Sequence, residues 1–159
     1  MTAPITPVVK KQMSLPGARI LLVVGAYHRA VLDQMVKGAT AAIEAASAKA
    51  DILEAPGAFE IPGAIMFASG AGAYDGYVAL GCVVKGDTDH YDYICAETSR
   101  GLMDLSKNGF CIGFGLLTVH SLAQAEERAD TRRGDKGGEA AQACLTMIEI
   151  KRRFTGARA

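Results

Sequence analysis

The sequence predicts an α/β protein of three layers, a four-stranded parallel sheet with helices on both faces. Three observations predict it. Apolar runs of strand length recur four times, at Arg19 to Gly25, Ala50 to Ala55, Gly76 to Val83 and Phe110 to Thr118. After each run, apolar residues return at spacings of three and four, the helical period. The first run is continuously apolar rather than alternating, the mark of a strand covered on both faces.

In chain order, residues 1–17 hold three of the five prolines, Pro4, Pro7 and Pro16, and little periodicity. They read as a flexible tail whose Pro7-Val8-Val9 can add to a neighbouring subunit's sheet edge. Residues 18–156 form a single domain, as a chain of 159 residues leads one to expect. The first strand is followed by Leu32, Met35, Val36, Ala39, Ile43 and Ala46, one helical face. The second strand is short and weak. Pro56-Gly57-Ala58-Phe59-Glu60-Ile61-Pro62 then breaks the pattern, and a helix runs from Gly63 to about Ala71 with Pro62 in its first turn. The third strand empties through a Gly/Asp/Thr loop into a helix marked by Tyr91, Ile94, Cys95, Thr98, Leu102 and Leu105. After the fourth strand, Ser121 and Gln124 make a capping box for a helix to about Ala129. A charged, glycine-rich loop from Asp130 to Gly138 leads to the last helix, marked by Ala141, Cys144, Leu145, Ile148 and Phe154.

Composition narrows the function classes. Lys plus Arg and Asp plus Glu number 17 each, so the formal charge is zero. That gives no electrostatic basis for nucleic acid or a membrane surface. Cys82, Cys95, Cys111 and Cys144 lie in apolar patterns without a CxxC pair, which favours buried free thiols in a reducing cytoplasm over disulfides or a metal site. No apolar run is long enough to span a bilayer, and the N-terminus lacks the pattern of a signal peptide. A cytoplasmic protein is expected.

In parallel α/β sheets ligands bind beyond the carboxyl ends of the strands. Those positions hold Tyr27 and His28, Gly57 to Glu60, Lys85 to His90, and Phe114 through His120. The loop before His90 offers free backbone amides and the positive end of a helix dipole, suited to an anion such as phosphate. The plainer alternative is that Asp87 or Asp89 caps the helix. No P-loop or dinucleotide fingerprint is present. Tyr27, Phe59 and Phe114 either stack on a planar ring or are ordinary core aromatics. Glu60, between two apolar neighbours, either meets a ligand hydroxyl or amine or faces solvent. Arg128 and Lys136 are either anion contacts or surface charges. His28 and His120 receive no role.

These residues occur together in a recognisable order. The segments Pro56 to Pro62, Leu80 to Tyr93, and Glu127-Arg128-Ala129 with Gly134-Asp135-Lys136-Gly137 resemble the 6,7-dimethyl-8-ribityllumazine synthase family, from about Arg19 to Phe154. The resemblance implies a flavodoxin-like fold. It also implies a transferase of riboflavin biosynthesis, joining 5-amino-6-(D-ribitylamino)uracil to 3,4-dihydroxy-2-butanone 4-phosphate with release of phosphate and water. Carried over, it implies that Tyr27 stacks on the pyrimidine and that Ala58, Phe59 and Glu60 line the ring and ribityl site. Cys82, Val83 and Val84 offer main-chain groups to the uracil edge. Gly86, Asp87 and Thr88 hold the phosphate with Arg128. His90 transfers protons. Phe114, Arg128 and Lys136 come from the adjacent subunit, so the active protein is a homo-oligomer built from pentamers. Neither a metal nor a cofactor is implied, since the chemistry involves no redox change.

Three positions depart from the family pattern: His28 for a common Asn, Lys85 for a more frequent Arg, and Asp130 for a common Gly. The alternative within the resemblance is a non-catalytic paralogue that binds flavin or lumazine. Without it, a flavodoxin-like regulatory domain remains, but Gly25-Ala26-Tyr27 lacks the acidic cluster such a domain needs.

Overall fold

The protein alternates strands and helices as β1 (Arg19–Gly25), α1 (Arg29–Ala45), β2 (Lys49–Ala55), a 3₁₀ turn (Ala58–Glu60), α2 (Ile61–Ser69), β3 (Gly76–Val84), α3 (His90–Lys107), β4 (Ile112–Val119), α4 (Leu122–Ala129) and α5 (Lys136–Thr155). The structure, a computed structural model, describes residues 12–156. The part of the expected tail up to residue 11 lies outside them. Of the remainder, Met13 and Leu15 are buried, and the Leu15 N–H donates to the Ala46 carbonyl at 2.8 Å.

Every strand pairing is parallel and the sheet order is β2-β1-β3-β4. The chain steps one way from β1 to β2 and the other way afterwards. Right-handed crossovers therefore put α1 on one face and α2 and α3 on the other. α5 returns to pack beside α1, which completes three layers. Period-two alternation sorts the β1 side chains accordingly. Ile20, Leu22 and Val24 enter the core under α1 and α5, while Leu21 and Val23 enter the core under α2 and α3.

Two glycines let the layers touch through backbone. A methyl group on Gly137 would overlap the Met35 carbonyl oxygen, and one on Gly113 would overlap that of Ala140. α5 thus lies directly on α1 and β4. Three element starts differ most from the sequence pattern. α2 begins at Ile61, since Pro62 in a first turn forfeits no intrahelical bond. β4 begins at Ile112 rather than Phe110. α5 begins at Lys136 because the Asp135 carboxylate caps it, Oδ1 accepting the Gly138 N–H at 3.2 Å. Ser121 does cap α4, its hydroxyl accepting the Gln124 N–H at 3.2 Å while Gln124 Oε1 accepts the His120 N–H at 2.8 Å.

Candidate active site

Two groups of the expected residues emerge, one in the crevice beside the end of β3 and one on the outer edge of β4. The crevice follows from strand register. β1 pairs with β3 only as far as Val24 with Leu80, whereas β4 follows β3 to Val84. The main chain from Gly81 to Val84 therefore has a strand on one side and no β1 partner on the other. That open edge lies where the strand order reverses, the usual ligand position in such sheets.

Close backbone packing builds the wall facing it. A Cβ on Gly25 would stand 3.3 Å from Ala58 N and from Gly57 C, so the end of β1 abuts the 3₁₀ turn. A Cβ on Gly57 would stand 3.1 Å from the Tyr27 ring and 3.3 Å from Glu60 Oε2. A Cβ on Gly81 would meet Ala58 Cβ at 3.4 Å and Leu116 Cδ1 at 2.8 Å. The Pro56 to Pro62 segment is thus clamped over β3, with Ala58 buried beneath it. Tyr27 and Phe59 are left 69% and 57% exposed, far more than core aromatics, and Glu60 is also exposed. Cys82 is buried, Val83 and Val84 half-buried. Burial pushes the Cys82 thiol up to about 11. It stays neutral at physiological pH, leaving its main chain as the polar feature.

The β3–α3 loop closes the far end. The Lys85 N–H donates to the Val119 carbonyl at 2.9 Å, and Gly86 to His90 are exposed. Asp89 occupies the N-cap position of α3 but makes no side-chain cap. Thr88 Oγ1 instead accepts the His90 N–H, at a long 3.4 Å. Asp89 therefore does not cap α3 through its side chain. His90 is the first residue of an 18-residue helix. Tyr91 anchors that helix start, its ring edge-on to His120 with centroids 6.3 Å apart. Burial, first among several influences, raises the Tyr91 hydroxyl.

The second group surrounds a cleft of about 490 Å³ along β4, lined by Phe114, Thr118, Arg128, Lys136 and Glu139 among others. Phe114 lies inside β4, not in the loop beyond it, and is 50% exposed. Arg128 is in the last turn of α4 with Nη1 donating to the Gln124 carbonyl at 3.3 Å. The negative end of the helix dipole favours a cation there. Lys136 opens α5 instead of preceding it, and its Nζ pairs with Glu139 Oε2 at 2.7 Å. Glu139 was not legible beforehand. Its place three residues along a helix from Lys136 requires knowing that Asp135 is the cap. Sheet order keeps the two groups apart. Tyr27 follows β1, the cleft lies on the outer edge of β4, and the two strand spacings between them amount to roughly 10 Å.

The departures have local explanations in two cases. His28 adopts φ 59° and ψ 56°, the left-handed region that His tolerates nearly as Asn does. Asp130 Oδ1 accepts the Arg132 N–H at 2.8 Å, the first cause that holds its carboxyl below the usual range. Nothing in the surroundings of Lys85 accounts for lysine there. Among the described residues, no group of three His, Cys, Asp or Glu side chains is arranged to hold a metal ion. No helix among them is long and apolar enough to cross a membrane.

Comparison with known sequences converges on one family. The sequence model described as 6,7-dimethyl-8-ribityllumazine synthase matches residues 17–152. A protein of that name from Methylobacterium radiotolerans is 49% identical over 146 residues, 91% of this chain and 89% of the relative. One from Nitrobacter winogradskyi is 46% identical, covering 93% of this chain and 94% of the relative. One from Erythrobacter litoralis is 44% identical, covering 86% and 98%.

Proposed function

This chain belongs to the 6,7-dimethyl-8-ribityllumazine synthase family, and from that premise we propose how its two groups of residues divide the reaction. The protein is a transferase of riboflavin biosynthesis. It condenses 5-amino-6-(D-ribitylamino)uracil with 3,4-dihydroxy-2-butanone 4-phosphate and releases phosphate and water. The observation that carries the site assignment is the open main-chain edge from Gly81 to Val84, flanked by exposed aromatics and by the start of α3. A uracil presents alternating N–H and C=O groups along one edge, the complement of a free strand edge. Cys82, Val83 and Val84 take that edge. Tyr27 and Phe59 cover the ring, and Ala58 and Glu60 face the ribityl chain and amines.

The phosphate binds at the amides of Gly86, Asp87 and Thr88, where the α3 dipole favours an anion. Arg128 adds a guanidinium counter-charge, and Phe114 and Lys136 complete the wall. The pyrimidine amine attacks the ketone to give an imine and water. Phosphate departs by β-elimination as its charge passes to amides and guanidinium. The resulting enol tautomerises to a ketone, and the ribitylamino nitrogen attacks that carbonyl and closes the ring as a second water leaves. Each stage moves a proton, and imidazole both gives and takes protons near neutrality. His90, on the first turn beside the loop, fills that role. Holding two reactive partners together supplies much of the remaining acceleration.

Because Arg128, Phe114 and Lys136 lie across the sheet from Tyr27 and Phe59, a complete site forms between copies of the chain. A head-to-tail contact of unlike surfaces closes into a ring, and a pentamer is the proposed unit. Free, largely buried thiols suit a cytoplasmic location. The test is to mix both substrates with pure protein and follow lumazine absorbance with phosphate release. Folded protein that turned over only at the background rate would sink the assignment. Co-assembly of His90→Ala with Arg128→Ala chains at equal ratio tests the sharing. About a quarter of the sites should regain both groups if each lies between neighbours in a closed ring, and none if each lies within one chain.

A further inference from the structure

The chain after Arg128 turns straight back across it. The Gly134 N–H donates to the Glu127 carbonyl at 3.1 Å, and the Arg133 and Asp135 N–H groups both donate to the Asp130 carbonyl at 3.0 Å. Arg133 also pairs with Glu127 at 3.4 Å. A Cβ on Gly134 would lie 2.7 Å from both Cα and O of Arg128 and 3.0 Å from its carbonyl carbon. All three are backbone atoms, so no side-chain rotation relieves the overlap. Close approach, rather than an unusual backbone angle, is what demands glycine here.

We propose that Gly134 is a positioning residue for phosphate recognition, its bare backbone fixing the seat of Arg128 and hence the aim of the guanidinium. The inference rests on the role of Arg128 given above. Ordinary contact needs about 3.4 Å against the 2.7 Å available, so alanine displaces Arg128 and the loop by several tenths of an ångström. Displacements approaching 1 Å in a positioned group cost up to about a hundredfold. The same loop continues within two residues to Lys136, so the lining of the β4 cleft moves as a unit.

The experiment compares the wild type, Gly134→Ala, Arg128→Ala and the double variant, using inorganic phosphate as a competitive inhibitor. Gly134→Ala should weaken phosphate inhibition and raise KM for the phosphorylated ketone about tenfold. The KM for the pyrimidine should hardly change. In the Arg128→Ala background the effect should vanish, since interacting residues are non-additive. An equal loss in both backgrounds, or no loss in either, would overturn the proposal and leave Arg128 its role. Phosphate inhibition untouched by Arg128→Ala alone would remove the Arg128 assignment itself and this inference with it. Should Gly134→Ala not fold, Arg133→Ala serves instead, loosening the loop by removing its pair with Glu127 without adding bulk. It should show the same selective loss, and unchanged phosphate inhibition would overturn the proposal.

Discussion

The crevice beside β3 and the cleft beside β4 both expose aromatic rings and polar groups, yet they are built by different means. The crevice is made of main chain. A strand overhang, a 3₁₀ turn clamped over it by Gly25, Gly57 and Gly81, and the first turn of α3 meet within one chain. The cleft is made of side-chain ends. Phe114, Arg128 and Lys136 come from a strand interior, a helix end and a helix start. Its ring is half exposed and its lysine is already paired with Glu139. The comparison teaches that strand register and close glycine contacts shape one region, whereas side-chain ends at the outer edge of the sheet shape the other.

That division can be broken most sharply at His90. His90→Ala should lower kcat by about a hundredfold without abolishing turnover, the scale of general acid–base catalysis. Phosphate inhibition should stay at the wild-type value. A variant with no activity at all and an intact fold would contradict a rate that rests largely on proximity. A smaller effect is expected at Phe59. Phe59→Ala should raise KM for the pyrimidine about fivefold, the worth of one aromatic stack, and leave that for the ketone alone. Steady-state titration of each substrate in turn separates the two; equal changes in both would merge crevice and cleft into one unit. The smallest effect is expected far from either, at Asp51. Its hydrogen bond from Arg19 at 2.7 Å is the first cause that lowers its carboxyl below 3.8. A depressed folded-state pKa contributes stability above the unfolded value and loses it as pH falls through the folded one. Asp51→Asn should therefore be slightly less stable than wild type at neutral pH and converge with it below about pH 3.8. Thermal unfolding across pH measures this, and kcat should not move.

Much of this architecture was legible in the sequence because periodicity is local. The continuous run from Arg19 to Gly25 announced a strand buried on both faces, and Ser121 with Gln124 announced a helix start. Motif order placed the Pro56 to Pro62 turn and the loop before His90 at strand ends. What stayed hidden was register and termination. No pattern within Gly76 to Val84 tells that pairing with β1 stops at Leu80 while pairing with β4 continues to Val84, since register is a property of two strands together. Lys136 read as a loop residue because Gly137 and Gly138 are poor helix formers. The Met35 backbone on one side and the Asp135 cap on the other override that propensity. Phe114 read with the residues beyond the strand ends, although the fourth apolar run, Phe110 to Thr118, already contains it, and β4 places it inside the strand.

The four cysteine thiols have a bearing on durability. Cys144 is fully buried, with Sγ 3.4 Å from the Cys111 carbonyl oxygen, and burial lifts its thiol well above that of Cys82. Oxidants and alkylating agents attack the thiolate. With Cys82 titrating at about 11, only about one such group in ten thousand is ionised at neutral pH. Aerobic handling should spare the strand that carries the crevice, so loss of activity on storage would have to be sought elsewhere than in sulfur chemistry at Cys82 or Cys144.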